Sequence, residues 1–301
     1  MAAPAPRLPL ELEWRIFDLA AWGDLVTART LSLVAYRVHV WMQSILYHVL
    51  DILDTRSLDR CLAQLGNYPA LLKHTRCLAL EFEIRRDNPA QVNITTSLLA
   101  ACPNLTNLAQ WTGVNPATLA ELRPLRSLRH LSIDLFALFG GPQNFRVPPP
   151  AHLGALQRIT HLDVYGRFPT PTPRSDGAVF HPHDVFNPAV FPALTHLAFP
   201  YSPLYDEQDF HETFDGILRA FELPLTAMRV LVFYAELEED PAKTLLKLET
   251  GIEDPRFCVV VSDVSYPEDW KSGVWGGEDV WSRAEQRVAG RTWLAEKRIR
   301  A

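Results

Sequence analysis

The feature that most constrains this chain is a short motif that recurs along it. The tripeptide Thr-His-Leu occurs at residues 160–162 and again at 195–197, and the near-copy Arg-His-Leu occurs at 129–131. Each copy opens a stretch of alternating polar and apolar residues, which is the pattern of a β-strand that buries one face. A strand pattern that returns at a similar interval is typical of proteins built from repeated structural units.

Six segments fit one version of this motif: an apolar residue, two variable residues, a leucine, one variable residue and a second apolar residue. Their central leucines are separated by 30, 23, 31, 35 and 34 residues, which leaves room for one strand and one connection in each unit. A seventh segment, around Val259 and Val260, is a continuous apolar run that also suits a buried strand. The six central leucines are Leu78, Leu108, Leu131, Leu162, Leu197 and Leu231.

The stretches between these strands carry helix signals. Residues 208–223 place apolar side chains at three- and four-residue steps, and the pair Asp240 and Pro241 begins a helical pattern that ends at Gly251. A helix between two strands returns the chain so that the strands lie parallel. The sequence therefore predicts an α/β fold, in which residues 55–265 form an irregular leucine-rich-repeat-like solenoid with a parallel sheet.

Two columns of side chains point away from the helices in this prediction. The histidines His130, His161 and His196 form one column, and we interpret them as an exposed polar face, because zinc ligands must converge on one point rather than spread along a sheet. The second column is predicted to bind a protein partner, since large stiff side chains bury area at small entropic cost. The alternative is that it only covers the sheet edge. Its members are Trp111, Asp134, Tyr165 and Tyr234.

Residues 8–54 differ from the repeats, because three helical patterns and no strand pattern are found there. Pro9 suits the first turn of a helix, and Leu12, Ile16 and Leu19 follow it as an apolar stripe. Residues 31–49 are the most periodic helical stretch of the chain. A module of fewer than fifty residues buries little surface by itself, so we expect it to pack on the repeats, on another protein, or on both.

The segment "LPLELEWRIFDLAAWGDL", which begins at residue 8, and the pair Leu33-Val34 resemble an F-box. Residues 254–285, together with the loose leucine repeats, are similar to F-box-like, leucine-rich-repeat-like proteins of mushroom-forming fungi, so the resemblance spans nearly the whole chain. It implies an N-terminal helical module that docks on a Skp adaptor protein. The adaptor-binding residues that it implies are Leu8, Pro9, Leu12, Ile16, Phe17, Leu25 and Val34.

The function that this resemblance implies is that of a substrate-recognition subunit of a Skp-cullin-F-box ubiquitin ligase. The repeat surface would hold a target protein, while other subunits carry out ubiquitin transfer, so we expect no enzymatic activity and no cofactor in this chain. The resemblance leaves one alternative from the same structural class, a repeat scaffold that binds protein partners outside the ubiquitin system.

A second alternative is a metal-dependent enzyme. The sequence contains no Gly-x-Ser-x-Gly elbow, phosphate-binding glycine loop, His-Glu-x-x-His or dinucleotide fingerprint. The best candidate site is His181, His183 and Asp184, which lie close together in the proline-rich stretch 166–192. Because prolines favour an extended loop over a fixed ligand frame, we predict no metal site there and interpret the stretch as a solvated or partner-binding loop.

Composition argues against several partners and locations. The formal net charge of -6 provides no basic face for nucleic acid. We find neither a segment apolar enough to span a bilayer nor the charged start and apolar core of a secretory signal, so we expect an intracellular protein, cytoplasmic or nuclear. The four cysteines are widely spaced, and we expect them to behave as small core residues.

The chain divides into three parts in this prediction. The helical module covers residues 8–54, the repeats cover 55–265, and a tryptophan-rich segment covers 266–301. Repeat proteins need a terminal element that shields the last unit from water. We therefore predict that Trp270, Trp275 and Trp281 close the open end of the solenoid, with a helix after them. The alternative is that these aromatic side chains form a peptide-binding pocket.

Overall fold

The structure is a computed structural model, and it describes residues 8–81, 89–141, 144–146, 149, 153–165, 172–173, 179–180, 186, 189–200, 227–236 and 254–300. The predicted helices in 208–223 and 241–250 and the three residues His181, His183 and Asp184 lie outside these ranges. Within them the protein is an α/β fold with ten helices and an open sheet of eight parallel strands. A separate antiparallel pair joins two short strands, β6 (Thr172–Pro173) and β7 (Val179–Phe180).

Three helices form the N-terminal head, which we define as residues 8–48. They are α1 (Leu10–Ala21), α2 (Leu25–Leu31) and α3 (Tyr36–Leu46). Asp24 begins α2, because its carboxylate accepts hydrogen bonds from the backbone N–H groups of Val26 and Thr27 at 2.9 and 3.1 Å. A small core of its own holds the head together, formed by Ala21, Ala28, Val38, Met42 and Ile45.

The eight-stranded sheet follows the head, with its strands in the order β1, β2, β3, β4, β5, β8, β9, β10. The six central leucines predicted from the motif lie directly beside one another on neighbouring strands. This register confirms that the motif marks parallel strands of one sheet. The strands are β1 (Val49–Ile52), β2 (Cys77–Leu80), β3 (Asn107–Gln110), β4 (His130–Ile133), β5 (His161–Val164), β8 (His196–Pro200), β9 (Val230–Glu236) and β10 (Phe257–Ser262).

One strand was not expected. The prediction assigned Val49 to the apolar face of the third helix, but α3 ends at Leu46 and Val49 begins β1. Leu50 of β1 lies beside Leu78 of β2, so the row of leucines begins one strand earlier than the motif indicated.

The two faces of the sheet are covered by different helices. The leucine face, which carries the six central leucines, packs on the helices that connect the early strands in one continuous core. These helices are α4 (Thr55–Asn67), α5 (Pro69–Leu72), α6 (Pro89–Ala101), α7 (Thr118–Leu122) and α8 (Leu135–Leu138). All four cysteines are buried and free, as expected for core residues.

The opposite face, which we call the histidine face, is covered by the C-terminal helix pair, α9 (Tyr266–Val274) and α10 (Val280–Arg300). Its own cluster of buried side chains includes Ala109, Ala198 and Val232 from the sheet and Val280 and Ala284 from α10. The prediction that the tryptophan-rich segment closes the end of the repeats is therefore wrong. The segment returns across the sheet, where Trp270 packs on Trp111 and Trp281 packs on His161 and His196.

Candidate functional site

The surface of the N-terminal head is unusually apolar. Twelve of the fifteen large apolar side chains that are exposed in the described residues lie between residues 8 and 40. Leu33 and Tyr36 are the most open of these, at 86% and 83% exposed. Exposed apolar groups scattered singly are normal, whereas a concentration of them marks a surface that another molecule covers. The twelve are Leu8, Leu10, Leu12, Trp14, Ile16, Leu19, Trp22, Val26, Leu33, Val34, Tyr36 and Val40.

Helix α1 shows how this surface arises. Leu12, Ile16 and Leu19 are four and three residues apart, so they share one face of the helix, and all three are exposed. Phe17 and Ala21 lie on the other side, where Ala21 is fully buried and Phe17 packs 6.2 Å from the ring of Trp41. A helix at the surface of a soluble protein normally carries polar residues on its outer face. Helix α1 instead has two apolar faces, and only one of them packs against other residues of the chain.

The structure brings most of the adaptor-binding residues implied by the F-box resemblance to the surface of the head. Leu8, Leu12, Ile16 and Val34 are exposed, and so is Pro9 just before α1. The other two, Phe17 and Leu25, are half-buried between the helices.

A column of three histidines lies on the histidine face of the sheet. His130, His161 and His196 occupy the same register position on β4, β5 and β8. Their rings are stacked, with centroids 4.0 Å apart and interplanar angles of 10° and 6°. Trp281 of α10 meets the rings of His161 and His196 edge-on, at 5.3 and 5.8 Å. The prediction of an exposed polar face is therefore wrong, because α10 covers the column.

The threonine before each of the last two histidines explains the repeated tripeptide. Thr160 and Thr195 donate hydrogen bonds to backbone carbonyl oxygens one strand back, from Thr160 Oγ1 to Arg129 at 3.3 Å and from Thr195 Oγ1 to Thr160 at 3.0 Å. The same hydroxyl oxygens lie 3.0 and 2.7 Å from Nδ1 of the following histidine. Threonine thus ties neighbouring strands, histidine stacks on one face, and leucine fills the core on the other.

Burial keeps the histidine column neutral. Loss of water lowers the pKa of His130 to about 4, against the opposite effect of the Asp279 carboxylate. Loss of water also lowers the pKa of His161 to about 2, and the two neighbouring histidines lower it further. The pKa of His196 is also lowered, first by burial, although its Nε2 atom lies 3.0 Å from the carboxylate of Glu285. No group of three or more possible metal ligands occurs among the residues that the structure describes.

A buried carboxyl group lies beside the column. Trp111 donates its indole N–H to the hydroxyl oxygen of Ser132 at 2.8 Å, and Ser132 donates to Oδ2 of Asp163 at 2.6 Å. Tyr266 of α9 also donates to the Ser132 hydroxyl at 3.3 Å. Asp163 is only 4% exposed, and burial raises the pKa of its carboxyl to about 7. Sequence reasoning missed this residue, although Ser132 and Asp163 hold equivalent positions, two residues after the repeated histidine.

A second buried carboxyl group joins the two C-terminal helices. Oδ1 of Asp269 on α9 lies 2.5 Å from the guanidinium of Arg283 on α10, and its Oδ2 accepts the backbone N–H of Val280 at 2.7 Å. Burial raises the pKa of Asp269 although Arg283 and these hydrogen bonds act in the opposite direction. Asp279 caps the start of α10 by accepting the backbone N–H of Ser282 at 2.8 Å. Two carboxylates therefore stabilise the turn between the helices, Asp269 on its α9 side and Asp279 on its α10 side.

A small pocket of about 60 Å³ remains where the helix pair lies over the sheet. Its floor is formed by strand residues, including the two half-buried histidines and Asp163, and its roof by α9 and the start of α10. The residues that line it are Asn107, His130, Leu131, Ser132, His161, Asp163, Tyr266, Trp270, Gly273, Val274, Asp279 and Trp281.

Three of the four residues predicted to bind a partner lie beneath the same helices: Trp111, Tyr165 and Tyr234. Trp111 and Tyr234 are only 4% and 2% exposed, so the prediction that they present an open surface is wrong. Trp111 packs 5.8 Å from Tyr266 and 6.1 Å from Trp270, and Tyr165 is half-buried beside it. Asp134 is half-buried, and its carboxylate accepts the backbone N–H of Ala137 at 2.9 Å to begin α8. The chain's own aromatic side chains thus occupy the surface that was assigned to a target.

Comparison with known proteins adds no relative. No protein-family model matches the chain, and no curated protein matches it either. Among the described residues, no helix has both the length and the apolar character needed to cross a membrane.

Proposed function

We propose that this chain is a non-enzymatic protein-binding receptor that docks through its N-terminal head on a Skp-type adaptor, as a substrate-recognition subunit of a Skp-cullin-F-box ubiquitin ligase. The observation that carries the proposal is the uncovered apolar face of α1, with Leu12, Ile16 and Leu19, beside further exposed apolar residues of α2 and α3. A helical adaptor face would remove these side chains from water at about 25 cal/mol per Å² of apolar area. The class of partner comes from the F-box resemblance of the same residues.

The role of the rest of the chain in this proposal is to hold a target near the ligase, which raises the effective concentration of the target without chemistry in this protein. In the conformation described here, Trp111 and Tyr234 are covered, so a target binds elsewhere or displaces the C-terminal helix pair.

The test is direct binding of the purified chain to a Skp adaptor, measured by isothermal titration calorimetry. We expect binding by the native chain and at least a tenfold loss in the double variant Leu12→Glu with Ile16→Glu, because two charges would be buried without partners. The matched control is Val264→Glu, which places a charge at an exposed apolar position outside the head and should bind as the native chain does.

Two results count against the proposal. If the double variant is folded, by circular dichroism and by its unfolding midpoint, and still binds the adaptor as tightly as the native chain, the face of α1 is not the docking surface. If the folded native chain shows no adaptor binding at all, the alternative of a scaffold outside the ubiquitin system replaces the ligase role.

A further inference from the structure

The pocket under the C-terminal helix pair has the chemistry of a cation site. Its twelve described lining residues include two carboxyl groups, Asp163 and Asp279, and neither a lysine nor an arginine. The nearby basic side chains are already engaged, since Arg283 pairs with Asp269 and Lys271 pairs with Asp51. A buried carboxylate without a basic partner is electrostatically unfavourable, so the pocket favours an incoming positive charge.

Asp163 is the group that would meet this charge. Oδ2 of Asp163 accepts the hydroxyl of Ser132 at 2.6 Å, and no hydrogen bond from the described residues reaches its Oδ1 atom. One carboxylate oxygen is therefore fixed by Ser132, which is itself held by Trp111, while the other keeps its hydrogen-bonding capacity. Such a carboxylate is oriented in advance and would lose little freedom when a ligand binds.

Aromatic side chains form the roof of the pocket. Tyr266, Trp270 and Trp281 all line it, and Trp270 and Trp281 are half-buried. Aromatic rings attract cations that carry alkyl groups, and indole does so most strongly. A bare metal ion would instead need several oxygen or nitrogen ligands that converge on one point, and no such group occurs in the described residues.

The size of the pocket selects a small ligand. One water needs roughly 10–15 Å³ of such volume, so about 60 Å³ holds about four to six water-sized groups. Asn107, Gly273 and Asp279 are among its half-buried lining residues. A Cβ atom at Gly273 would collide with the carboxylate of Asp279, so glycine at this position allows that carboxylate to approach α9.

From these observations we propose that the pocket binds an alkylammonium group, such as a methylammonium, a trimethylammonium or the end of a lysine side chain, with Asp163 as its counter-ion and Tyr266, Trp270 and Trp281 as its aromatic wall. The ligand can be a free small molecule or a side chain of a protein. The inference is independent of adaptor docking, since no lining residue belongs to the head.

The charges around Asp163 make this binding depend on pH. Burial raises the pKa of Asp163 to about 7, and the Asp269 carboxyl adds to this effect. His130 and His161 on the floor stay neutral because burial lowers the pKa of both, Asp269 is paired with Arg283, and Asp279 caps α10. An ammonium ion binds the ionised carboxylate, so affinity should rise as pH increases through about 7.

The experiment is a nuclear magnetic resonance titration of the full chain with tetramethylammonium chloride, with sodium chloride at equal ionic strength as the control. We expect saturable shifts of the indole N–H signals of Trp270 and Trp281, assigned by Trp→Phe variants, and an affinity several-fold higher at pH 8 than at pH 6. The neutral molecule tert-butyl alcohol, which has as many heavy atoms as tetramethylammonium, tests whether the cavity merely accepts uncharged molecules of that size. Equal binding of the alcohol, or no saturable shift at pH 8, overturns the proposal.

Two variants locate the site. Asp163→Asn keeps the size of the side chain and an acceptor for Ser132, and we expect it to lose at least tenfold in affinity and all of the pH dependence. Glu285→Gln is the matched control, since Glu285 lies on α10 and contacts His196 but does not line the pocket. Unchanged affinity in a folded Asp163→Asn protein overturns the proposal, and the alcohol comparison decides it if that variant does not fold.

Two further arms separate the sources of the ligand and the two proposals. Choline and a short peptide containing trimethyl-lysine are titrated in parallel, and the tighter of the two indicates whether a small molecule or a protein supplies the group. The head variant Leu12→Glu with Ile16→Glu should bind tetramethylammonium normally, while Asp163→Asn should bind the adaptor normally. A native chain that shows one activity and lacks the other therefore shows which proposal has failed, and a folded variant that loses both activities contradicts the independence of the two sites.

Discussion

Trp22 in the head donates its indole N–H to the backbone carbonyl oxygen of Trp275, 3.1 Å away, although 253 residues separate them in the chain. The two rings meet edge-on with centroids 5.6 Å apart, and His48 packs against both, at 4.9 and 5.2 Å. One turn earlier on α9, Lys271 pairs with Asp51 of β1 at 2.5 Å. The head and the C-terminal helix pair are thus joined to each other across the start of the sheet.

This junction predicts that Trp22 contributes to global stability although it is half-exposed. Trp22→Ala should lower the free energy of unfolding by about 1–2 kcal/mol, because it removes a hydrogen bond and an aromatic contact. Urea denaturation followed by far-ultraviolet circular dichroism measures the change. Trp14→Ala removes an equally exposed tryptophan from α1 and should cost less than about 0.5 kcal/mol. Equal losses in the two variants would show that the contact with Trp275 contributes nothing.

The leucine register is the part of the fold that sequence reasoning recovered. A strand with one buried face can be recognised from a few residues of sequence. A leucine that faces the core recurs at the same position in each unit, as at Leu131, Leu162 and Leu197. The first strand escaped notice for a related reason. The apolar run from α3 continues through Val49 and Leu50 without a break, so its helical period concealed the change to a strand.

The placement of the C-terminal helices could not be inferred in the same way. Ser265 and Glu268 form a capping box that begins α9, and this local signal is visible in the sequence. Which surface receives the aromatic side chains depends on contacts such as Tyr266 with Trp111, which are distant in the chain. The pocket and the burial of Asp163 follow from that packing. Sequence periodicity and motifs therefore could not predict the candidate cation site.

The histidine column predicts a loss of stability in mild acid. Burial lowers the pKa of His130 and His161 in the folded state to about 4 and about 2, against 6.5 without it, so the unfolded chain binds more protons below pH 6.5. The contribution of these two histidines to stability should therefore fall as pH decreases from about 6.5, by about 1–2 kcal/mol for each at pH 5. Protonation of Asp163 raises stability over the same range, so unfolding midpoints between pH 7.5 and 5 are compared in the native chain and in a variant that lacks one histidine.

The variant His161→Phe keeps a flat ring in the stack and removes its central titrating group. We expect it to weaken the pH dependence below 6.5, whereas His39→Phe, at an exposed position of α3, controls for the loss of one histidine from the chain. An unchanged slope in His161→Phe would mean that the acid sensitivity originates outside the column.

Asp163 predicts a trend of the opposite sign. Its folded-state pKa of about 7 lies above the ordinary value of 3.8, so the folded state binds the proton more tightly than the unfolded chain does. The resulting contribution to the free energy of unfolding is full below about pH 4 and is lost as pH rises to 7. Asp163→Asn is neutral at every pH, so its stability relative to the native chain should increase between pH 4 and 7 and level off above, at about 2–4 kcal/mol. Paired denaturation curves at pH 4.5 and 8 measure the difference, and equal differences at the two pH values would contradict a buried, neutral carboxyl.

The ion pair between Asp269 and Arg283 links α9 to α10, and we expect it to stabilise the folded protein. Asp269 is 1% exposed, and removal of its charge in Asp269→Asn leaves Arg283 without an opposite charge next to a buried helix turn. We expect each single variant, Asp269→Asn or Arg283→Met, to lower the free energy of unfolding by about 2–4 kcal/mol, since either leaves one uncompensated charge or polar group. The double variant should cost less than the sum, with a coupling of about 1–3 kcal/mol.

Hydrogen exchange distinguishes a local from a global effect of this pair. The amides at residues 281–290 of α10 should exchange faster in the single variants, while those of β4 and β5 keep their protection in proportion to the remaining global stability. Faster exchange at α10 would mean that this helix opens by itself, and such opening would expose Trp111 and Tyr234, which lie beneath the helix pair. Strictly additive losses, with uniform acceleration across the sheet and α10, would mean that the helix pair does not open separately and that those two aromatic residues stay covered until the whole protein unfolds.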